Sequence, residues 1–210
     1  NTALVVLENT GNRGGGSCYE LDDILKIKEV CIQHNLKLHL DGARLFNALV
    51  AKKQTPKQYG EIFDSISICL SKGLGTPVGS VLLGKKDFIK KARRVRKVLG
   101  GGMRQAGYLA AAGLFALHNN IERLDADHKH AKEIAEELLK RDFTQEMMPV
   151  ETNIIIFEVL MEGGPAAFCE KMKRYDILCL PISANQVRMV THLDVSREMT
   201  NQVLHAIATL

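Results

Sequence analysis

Short apolar runs alternate with segments of helical periodicity in the first half of the chain. These segments predict strands at Ala3–Leu7, Leu36–Leu40, Ser65–Leu70 and Val78–Leu83 and helices at Glu20–His34, Leu45–Ala51 and Asp87–Val98. Strands that are apolar on both faces and separated by helices are typical of a mostly parallel sheet that is covered on both sides. The pattern therefore predicts an α/β domain with helices on both faces of its sheet.

The pattern changes in the second half of the chain. It predicts helices at Met103–His118, Ile121–Arg141, Ala166–Tyr175 and Ser196–Leu210 and strands at Asn153–Val159, Ile177–Leu180 and Gln186–Val190. Ser196 is the predicted N-cap of the last helix, because a serine hydroxyl can accept a hydrogen bond from the first helical turn. We expect residues 1–120 to belong to a larger domain and residues 121–210 to form a smaller α+β domain. A long helix at about residues 103–141 is predicted to link them.

The amino-acid composition argues against several classes of protein. Hydrophobic residues make up 46% and charged residues 25% of the chain, as in ordinary globular proteins. No apolar run approaches the roughly 18–20 residues that span a bilayer, and a net charge of +4 does not by itself indicate nucleic-acid binding. The five cysteines are odd in number and contain no C-x-x-C pair, so neither a disulfide framework nor a metal site is predicted. We expect a reduced, cytoplasmic protein.

Three segments resemble phosphate- or nucleic-acid-binding motifs and fit them poorly. Gly79–Lys86 nearly matches a P-loop, but Lys86 stands where a magnesium-binding Ser or Thr is required. Gly73–Gly79 misses the dinucleotide-binding spacing by one residue. We interpret both as turns flanking a strand. The basic run Lys85–Lys97 contains a single aromatic residue, so we interpret it as a solvated helix face.

Three charged residues occupy positions that are typical of catalytic or ligand-binding residues. Asp41 follows a buried strand, at the edge where open α/β sheets bind ligands, although capping the next helix is an equally good interpretation. Lys72 follows the next apolar strand among glycines, which predicts a lysine in an apolar pocket and suits Schiff-base chemistry. Arg188 lies within a predicted strand and needs a carboxylate, either from the protein or from a substrate.

Together these three residue types form the constellation of a pyridoxal-phosphate enzyme. The lysine would hold the cofactor aldehyde, the carboxylate would pair with the pyridinium nitrogen, and the arginine would bind the carboxylate of an amino-acid substrate. Aldolases, aminotransferases and β-lyases all share this set. The residues alone therefore leave the reaction type open.

Five stretches carry a resemblance to a known family. The chain resembles the threonine aldolase/β-eliminating lyase family of fold-type-I pyridoxal-phosphate enzymes, in particular its low-specificity L-threonine aldolase members. The stretches follow the family order and run from one end of the chain to the other: Glu8–Gly16, His39–Asn47, Ser71–Ser80, Gly100–Gly107 and Arg188–Asp194.

The resemblance implies an activity and four of the site residues. It implies that a β-hydroxy-α-amino acid, L-threonine or L-allo-threonine, is cleaved to glycine and an aldehyde. Lys72 would be the Schiff-base lysine, Asp41 the pyridinium partner, and Arg44 and Arg188 the contacts to the substrate carboxylate.

The resemblance also implies a homodimer or homotetramer, in which Arg104 and Lys97 reach a cofactor phosphate across the subunit interface. Family members carry a long segment upstream of the position of Asn1, with a phosphate-binding cup and a histidine that stacks on the ring. We find no counterpart in this sequence, so we expect these 210 residues alone to bind pyridoxal phosphate weakly or not at all. A non-catalytic fragment or subunit that does not hold the cofactor is the second hypothesis.

Overall fold

The computed structural model describes residues 2–210 and divides them into two units. The first unit contains the chain up to Thr10 together with Cys18–Glu122, and the second contains Gly11–Ser17 together with Arg123–Leu210. The loop Gly11–Ser17 therefore clusters with the C-terminal residues, although it lies inside the segment 1–120 that the sequence assigns to the larger domain.

The first unit is an α/β sheet structure. Its elements are β1 (Leu4–Glu8), α1 (Leu21–Gln33), β2 (Lys37–Gly42), α2 (Leu45–Lys52), α3 (Pro56–Ile62), β3 (Ser65–Cys69), β4 (Ser80–Gly84), α4 (Lys86–Val98) and α5 (Gly107–Asn119). The sheet order is β1-β2-β3-β4; the first three strands are parallel, and β4 is antiparallel to β3. The predicted α/β class with a mostly parallel sheet is confirmed.

Apolar side chains that the periodicity assigns to one face of α1 and to β2 form the core of this unit. Ile24 of α1 and Leu38 and Leu40 of β2 are fully buried, and Tyr59 of α3 is also fully buried. Burying each side chain of this size stabilises the fold by roughly 1.5–3 kcal/mol. Of the glycines that resemble a P-loop, Gly79 directly precedes strand β4 and Gly84 is its last residue, which confirms that this segment is a strand rather than a phosphate-binding loop.

The second unit is an α+β structure with an antiparallel sheet. Its elements are α6 (Leu124–Leu138), β5 (Thr144–Met147), β6 (Ile154–Val159), α7 (Gly164–Lys173), β7 (Leu180–Pro181), β8 (Gln186–Val190) and α8 (Arg197–Thr209), with sheet order β5-β6-β8-β7. Phe157, Phe168 and Met172 are fully buried in its core. Ser196 accepts a hydrogen bond from the Met199 N–H at 3.2 Å, which confirms the predicted N-cap.

The two helices predicted at Met103–His118 and Ile121–Arg141 are confirmed as α5 and α6, whereas the single linking helix predicted at about residues 103–141 is wrong, because the chain breaks between them. Helix α5 ends at Asn119 and α6 begins at Leu124. The Asn119 side chain donates to the Phe115 carbonyl oxygen (2.7 Å), and the Asn120 side chain donates to the Leu74 carbonyl oxygen (2.8 Å). Asparagine side chains that bond to backbone groups compete with helical pairing, which explains why the helix ends here.

Three short elements also differ from the sequence prediction. The strand predicted at Ile177–Leu180 is displaced to Leu180–Pro181, because Ile177 packs into the core next to the end of α7. Strand β5 has the sequence TQEM, which carries no apolar alternation and gave no signal. Helix α3 is short, and its signal is the capping box between Thr55 and Gln58.

Asp64 joins three hydrogen-bond donors near the amino ends of β2 and β3. Its carboxylate accepts from Lys28 Nζ (3.0 Å), Lys37 Nζ (3.2 Å) and the Leu38 N–H (3.1 Å). Partial burial raises the pKa of the Asp64 carboxyl, but the three hydrogen bonds outweigh it and lower the pKa from 3.8 to about 2. A carboxyl whose pKa is lower in the folded state stabilises the fold above the unfolded-state pKa, and this contribution is lost as the pH falls.

We predict that Asp64→Asn lowers the free energy of unfolding by about 1–2 kcal/mol at pH 7, after allowance for solvent screening. The difference between the two proteins should shrink as the pH falls from about 4 towards 2, where Asp64 itself becomes protonated. Urea denaturation across this pH range measures it, with the exposed Asp22→Asn as the matched control. A difference that stays constant down to pH 2 would contradict the role assigned to Asp64.

Candidate active site

The structure brings Asp41 and Lys72 to one edge of the first sheet. Asp41 lies near the carboxyl end of β2 and is paired in parallel with Ser67 of β3. Strand β3 ends at Cys69, and Lys72 follows three residues later. Parallel strands have their carboxyl ends at the same edge of a sheet, and open α/β sheets bind ligands outside that edge. This confirms the shared edge that the sequence pattern predicts for the two residues.

The Asp41 side chain is exposed and also orders the turn into α2. Its Oδ1 accepts a hydrogen bond from the Ala43 N–H at 3.1 Å, and its backbone carbonyl accepts from the Asn9 N–H at 3.0 Å. The helix-capping interpretation is wrong, because Arg44 occupies the N-cap position of α2 and Ala43 lies before it; Asp41 instead stabilises the turn that precedes the helix. The hydrogen bond from Ala43 fixes the Asp41 carboxylate at the sheet edge, where the carboxylate remains in contact with solvent.

Lys72 lies in a turn that backbone hydrogen bonds hold in place. The Gly75 N–H donates to the Lys72 carbonyl oxygen (2.9 Å), and the Thr76 N–H donates to the Leu70 carbonyl oxygen (3.1 Å). Leu74 is 3% exposed and anchors the turn, whereas Lys72 is exposed. The prediction of an apolar pocket around Lys72 is wrong for the described chain, because Leu74 rather than the lysine is buried.

A series of buried and partly buried side-chain hydrogen bonds stabilises the same edge of the sheet. Asn9 is fully buried, and its Nδ2 donates to the Tyr59 hydroxyl oxygen at 2.9 Å; that hydroxyl donates in turn to Gln54 Oε1 at 2.9 Å. Burial raises the pKa of Tyr59 to about 12, so the hydroxyl stays protonated and keeps its donor role. Asn9 also donates through its backbone to Asp41, so this chain of bonds helps to fix the end of β2.

The two predicted substrate arginines lie in different units. Arg44 is half-buried and directly precedes α2, where its carbonyl oxygen accepts from the Asn47 N–H (3.0 Å). Arg188 lies in β8, paired with Ile156 of β6. Its Nη2 donates to Asn12 Oδ1 at 3.0 Å, and within residues 2–210 the structure records no acidic partner for it.

Lys97 and Arg104 lie outside the sheet. Lys97 is in the last turn of α4, and Arg104 lies in the segment between α4 and α5; both side chains are exposed. Helix α4 has no buried residue, so the basic run is an exposed face, as the sequence predicts.

A cavity of about 500 Å³ in the first unit lies away from the candidate residues. It is lined by residues that include Lys37, His39, Asp64 and Ser65, at the amino ends of β2 and β3. Asp41 and Lys72 lie at the opposite ends of these strands. In the part of the chain that the structure describes, no group of three or more His, Cys, Asp or Glu side chains has the arrangement of a metal site. Among residues 2–210, no helix has both the length and the apolar character needed to cross a bilayer.

Sequence reasoning did not identify Asn12 or Asn120. Asn12 contacts Arg188, and Asn120 holds the turn that carries Lys72 through the Leu74 carbonyl. Asn12 lies in Glu8–Gly16, one of the stretches that carry the family resemblance, so the motif marked the loop without indicating which side chain matters. Nothing in the sequence around Asn120 indicates its contact with Leu74.

Comparison with known proteins gives one family and a consistent group of relatives. The chain is 48% identical over 203 residues to the low specificity L-threonine aldolase of Escherichia coli K12, which covers 96% of this chain and 58% of that protein. It is 45% identical over 198 residues to the probable low-specificity L-threonine aldolase 2 of Arabidopsis thaliana, covering 93% of this chain and 56% of that protein. The chain thus spans a little over half the length of these curated relatives.

Solved structures share the fold at lower sequence identity. A putative aromatic amino acid β-eliminating lyase/threonine aldolase from Exiguobacterium sp. 255-15 matches with a TM-score of 0.83 at 20% identity, over 97% of this chain and 61% of that one. The threonine aldolase of Leishmania major matches with a TM-score of 0.81 at 21% identity, over 99% of this chain and 60% of that one. The family model for β-eliminating lyases matches residues 1–162. This chain belongs to the β-eliminating lyase family.

Proposed function

We propose that the intact protein is a pyridoxal-phosphate-dependent lyase that cleaves L-threonine or L-allo-threonine to glycine and an aldehyde. One structural observation carries this proposal: Asp41 and Lys72 stand at the carboxyl ends of adjacent parallel strands. The relatives named as low-specificity L-threonine aldolases support the choice of reaction.

The residues at the strand edge fit pyridoxal 5'-phosphate. The cofactor of this family presents an aldehyde, a ring nitrogen and a phosphate. Lys72 supplies an amine for the aldehyde carbon, and Asp41 supplies a carboxylate for the ring nitrogen; both side chains are accessible. Arg104 and Lys97 are the basic groups that we assign to the phosphate, from a neighbouring subunit. When bound, the cofactor supplies an electron sink for the negative charge that develops on the substrate Cα.

Arg188 and Arg44 would bind the substrate carboxylate. The alternative to substrate binding is that Arg188 forms an ion pair with a carboxylate of the protein. Its recorded partner is instead the neutral side chain of Asn12. A guanidinium that carries no carboxylate partner keeps its charge for a ligand, and arginine matches a carboxylate with two parallel hydrogen bonds.

The reaction breaks the Cα–Cβ bond of the substrate. The β-hydroxyl gives up its proton, the Cβ fragment leaves as an aldehyde, and Cα takes up a proton to become glycine. Asp41, as a carboxylate beside the ring nitrogen, would keep that nitrogen protonated throughout, which favours charge delocalisation away from Cα.

Aminotransferases and β-lyases are the rival reaction types. A histidinol-phosphate aminotransferase and a methionine gamma lyase match the fold with TM-scores of 0.70 and 0.71, at 13% and 15% identity, which is evidence about the fold alone. Product analysis with L-threonine separates the three. The aldolase yields glycine and acetaldehyde, an eliminating lyase yields 2-oxobutanoate and ammonia, and an aminotransferase requires an oxo-acid acceptor.

We further propose a cytoplasmic homo-oligomer that binds no nucleic acid. Several large apolar side chains around the end of α4 and along α5 are exposed, and a monomer would leave this apolar surface in contact with water, which supports self-association. These side chains are Val98, Leu99, Met103, Tyr108 and Phe115. The odd number of cysteines and the lack of a C-x-x-C pair in the sequence support a reducing compartment. Light scattering of the intact protein tests the oligomer; a monomer at micromolar concentration would reject it.

We predict that Lys72→Ala lowers kcat for threonine cleavage by roughly a thousandfold or more, because the amine that holds the cofactor is removed. Borohydride reduction followed by peptide mapping should locate the cofactor on Lys72 in the parent protein. Lys26→Ala, which removes an exposed lysine of α1, should leave activity unchanged. A trapped cofactor on any other lysine would reject the assignment.

Asp41→Asn should lower kcat by roughly a hundredfold while the cofactor still binds, because a neutral amide no longer favours the protonated ring nitrogen. Steady-state kinetics and the cofactor absorbance measure the two effects separately. Asp22→Asn, on the exposed first turn of α1, is the matched control. If the variant turned over like the parent protein, Asp41 would have only its turn-capping role.

Arg188→Leu should raise KM for L-threonine by more than tenfold, because losing one partner of a desolvated charge pair costs about 2–5 kcal/mol. Initial-rate kinetics at varied threonine concentration provide the measurement. Arg174→Leu, an exposed arginine after α7, serves as the control. An unchanged KM would mean that the carboxylate binds elsewhere.

A further inference from the structure

The Arg188 side chain depends on one neighbour for its orientation. Its Nη2 donates to Asn12 Oδ1 at 3.0 Å, and this is the one hydrogen bond from the Arg188 side chain that the structure records within residues 2–210. The Arg188 Nε is buried and has no hydrogen-bond partner among the same residues. Removing the bond to Asn12 would leave the guanidinium with no recorded hydrogen bond in the described part of the chain to fix its direction.

Asn12 is itself held in a closed loop. The Gly11 N–H donates to the Ser17 carbonyl oxygen (3.0 Å), the Gly16 N–H donates to the Gly11 carbonyl oxygen (2.9 Å), and the Ser17 N–H donates to the Gly14 carbonyl oxygen (3.2 Å). These three bonds close the loop Gly11–Ser17 on itself. The position of Asn12 is therefore fixed by backbone pairing rather than by its own side chain alone.

The glycines let this loop approach the second sheet closely. Gly16 has φ +78°, and a Cβ there would lie 2.4 Å from Thr152 Oγ1 and 3.2 Å from the Ile154 Cβ. The Thr152 hydroxyl donates to the Gly16 carbonyl oxygen at 2.8 Å in a fully buried bond. Ile154 begins β6, the strand that pairs with β8 at Arg188, so the loop and the arginine are attached to the same strand.

The chemistry of the Asn12 contact suits an arginine that must remain charged and available. An amide oxygen accepts a hydrogen bond from the guanidinium without neutralising it. An aspartate in the same place would form an ion pair with Arg188 and would compete with a substrate carboxylate. The neutral acceptor therefore holds the guanidinium and leaves its charge for the ligand.

We propose that Asn12 is a positioning residue that orients Arg188 for the substrate carboxylate, and that the glycine-rich loop Gly11–Ser17 holds Asn12 in that place. This inference rests on the proposed function, in which Arg188 binds that carboxylate. It also gives a structural reason for the glycine at position 16, which the catalytic assignment leaves unexplained.

The first test compares Asn12→Ala with Asn12→Asp in the intact, cofactor-loaded enzyme. Asn12→Ala should raise KM for L-threonine about tenfold, as expected for the loss of a hydrogen bond to a charged group, with kcat within about twofold of the parent. Asn12→Asp, which keeps the size of the side chain, should raise KM at least as much, because its charge competes with the substrate. Arg13→Ala, an exposed neighbour in the same loop, should leave both constants unchanged.

A merely structural role for Asn12 predicts a different order. The isosteric Asn12→Asp would then be the milder change, and a parent-like KM in that variant would overturn the proposal. Calorimetric binding provides a readout other than turnover. Asn12→Ala should weaken glycine binding about tenfold and leave binding of glycinamide, which lacks the carboxylate, within about twofold. An equal loss for both ligands would overturn the proposal.

A double-mutant cycle distinguishes this inference from the proposed function. In an Arg188→Leu background, Asn12→Ala should cause no further rise in KM, because residues that act through one contact are not additive. Additive effects would show that Asn12 acts independently of Arg188. If Arg188→Leu itself leaves KM unchanged, the carboxylate assignment fails; if only Asn12→Ala leaves KM unchanged, the positioning role alone fails.

Discussion

Parallel pairing between β2 and β3 is the constraint on which the candidate site depends. It places the carboxyl ends of two strands at one edge, so that Asp41 and Lys72, 31 residues apart in the sequence, share a surface. The pairing is stabilised by apolar residues such as Leu38, Leu40 and Ile66, which are at most 4% exposed. The turn after β3 and the turn after β2 are then fixed by local backbone hydrogen bonds. The core thus sets the position of the strand ends, and short-range bonds set the side chains.

The second unit contains a partly buried positive charge, that of Arg188, without a recorded acidic partner among residues 2–210. Arg188 lies in a strand with its Nε out of contact with water, yet its recorded partner is neutral. Keeping a partly buried charge without a counter-charge costs free energy that a bound carboxylate would return. The loop that carries Asn12 limits the cost by supplying one hydrogen bond. Glycine at position 16 is required for this arrangement, since a side chain there would collide with Thr152.

The sequence predicted the features that follow from local pattern. The α/β class, the strands near Asp41 and Lys72 and the Ser196 cap follow from periodicity and capping chemistry. It did not predict features that depend on long-range contacts. Asn120 ends α5 because its side chain reaches the Leu74 carbonyl, and Asn12 reaches Arg188 from the far end of the sequence. The prediction of an apolar pocket around Lys72 was wrong because a hydrophobic pattern does not show which residue of a turn is buried. In this turn the buried residue is Leu74.

The central claim is that Asp41 and Lys72 hold one cofactor at the shared strand edge. A crystal structure of the intact protein with pyridoxal phosphate tests it most directly. The account predicts a covalent bond from Lys72 Nζ to the aldehyde carbon and an Asp41 oxygen within about 2.6–3.2 Å of the ring nitrogen. A cofactor attached to another lysine, or an Asp41 carboxylate that contacts only the Ala43 N–H, would contradict it.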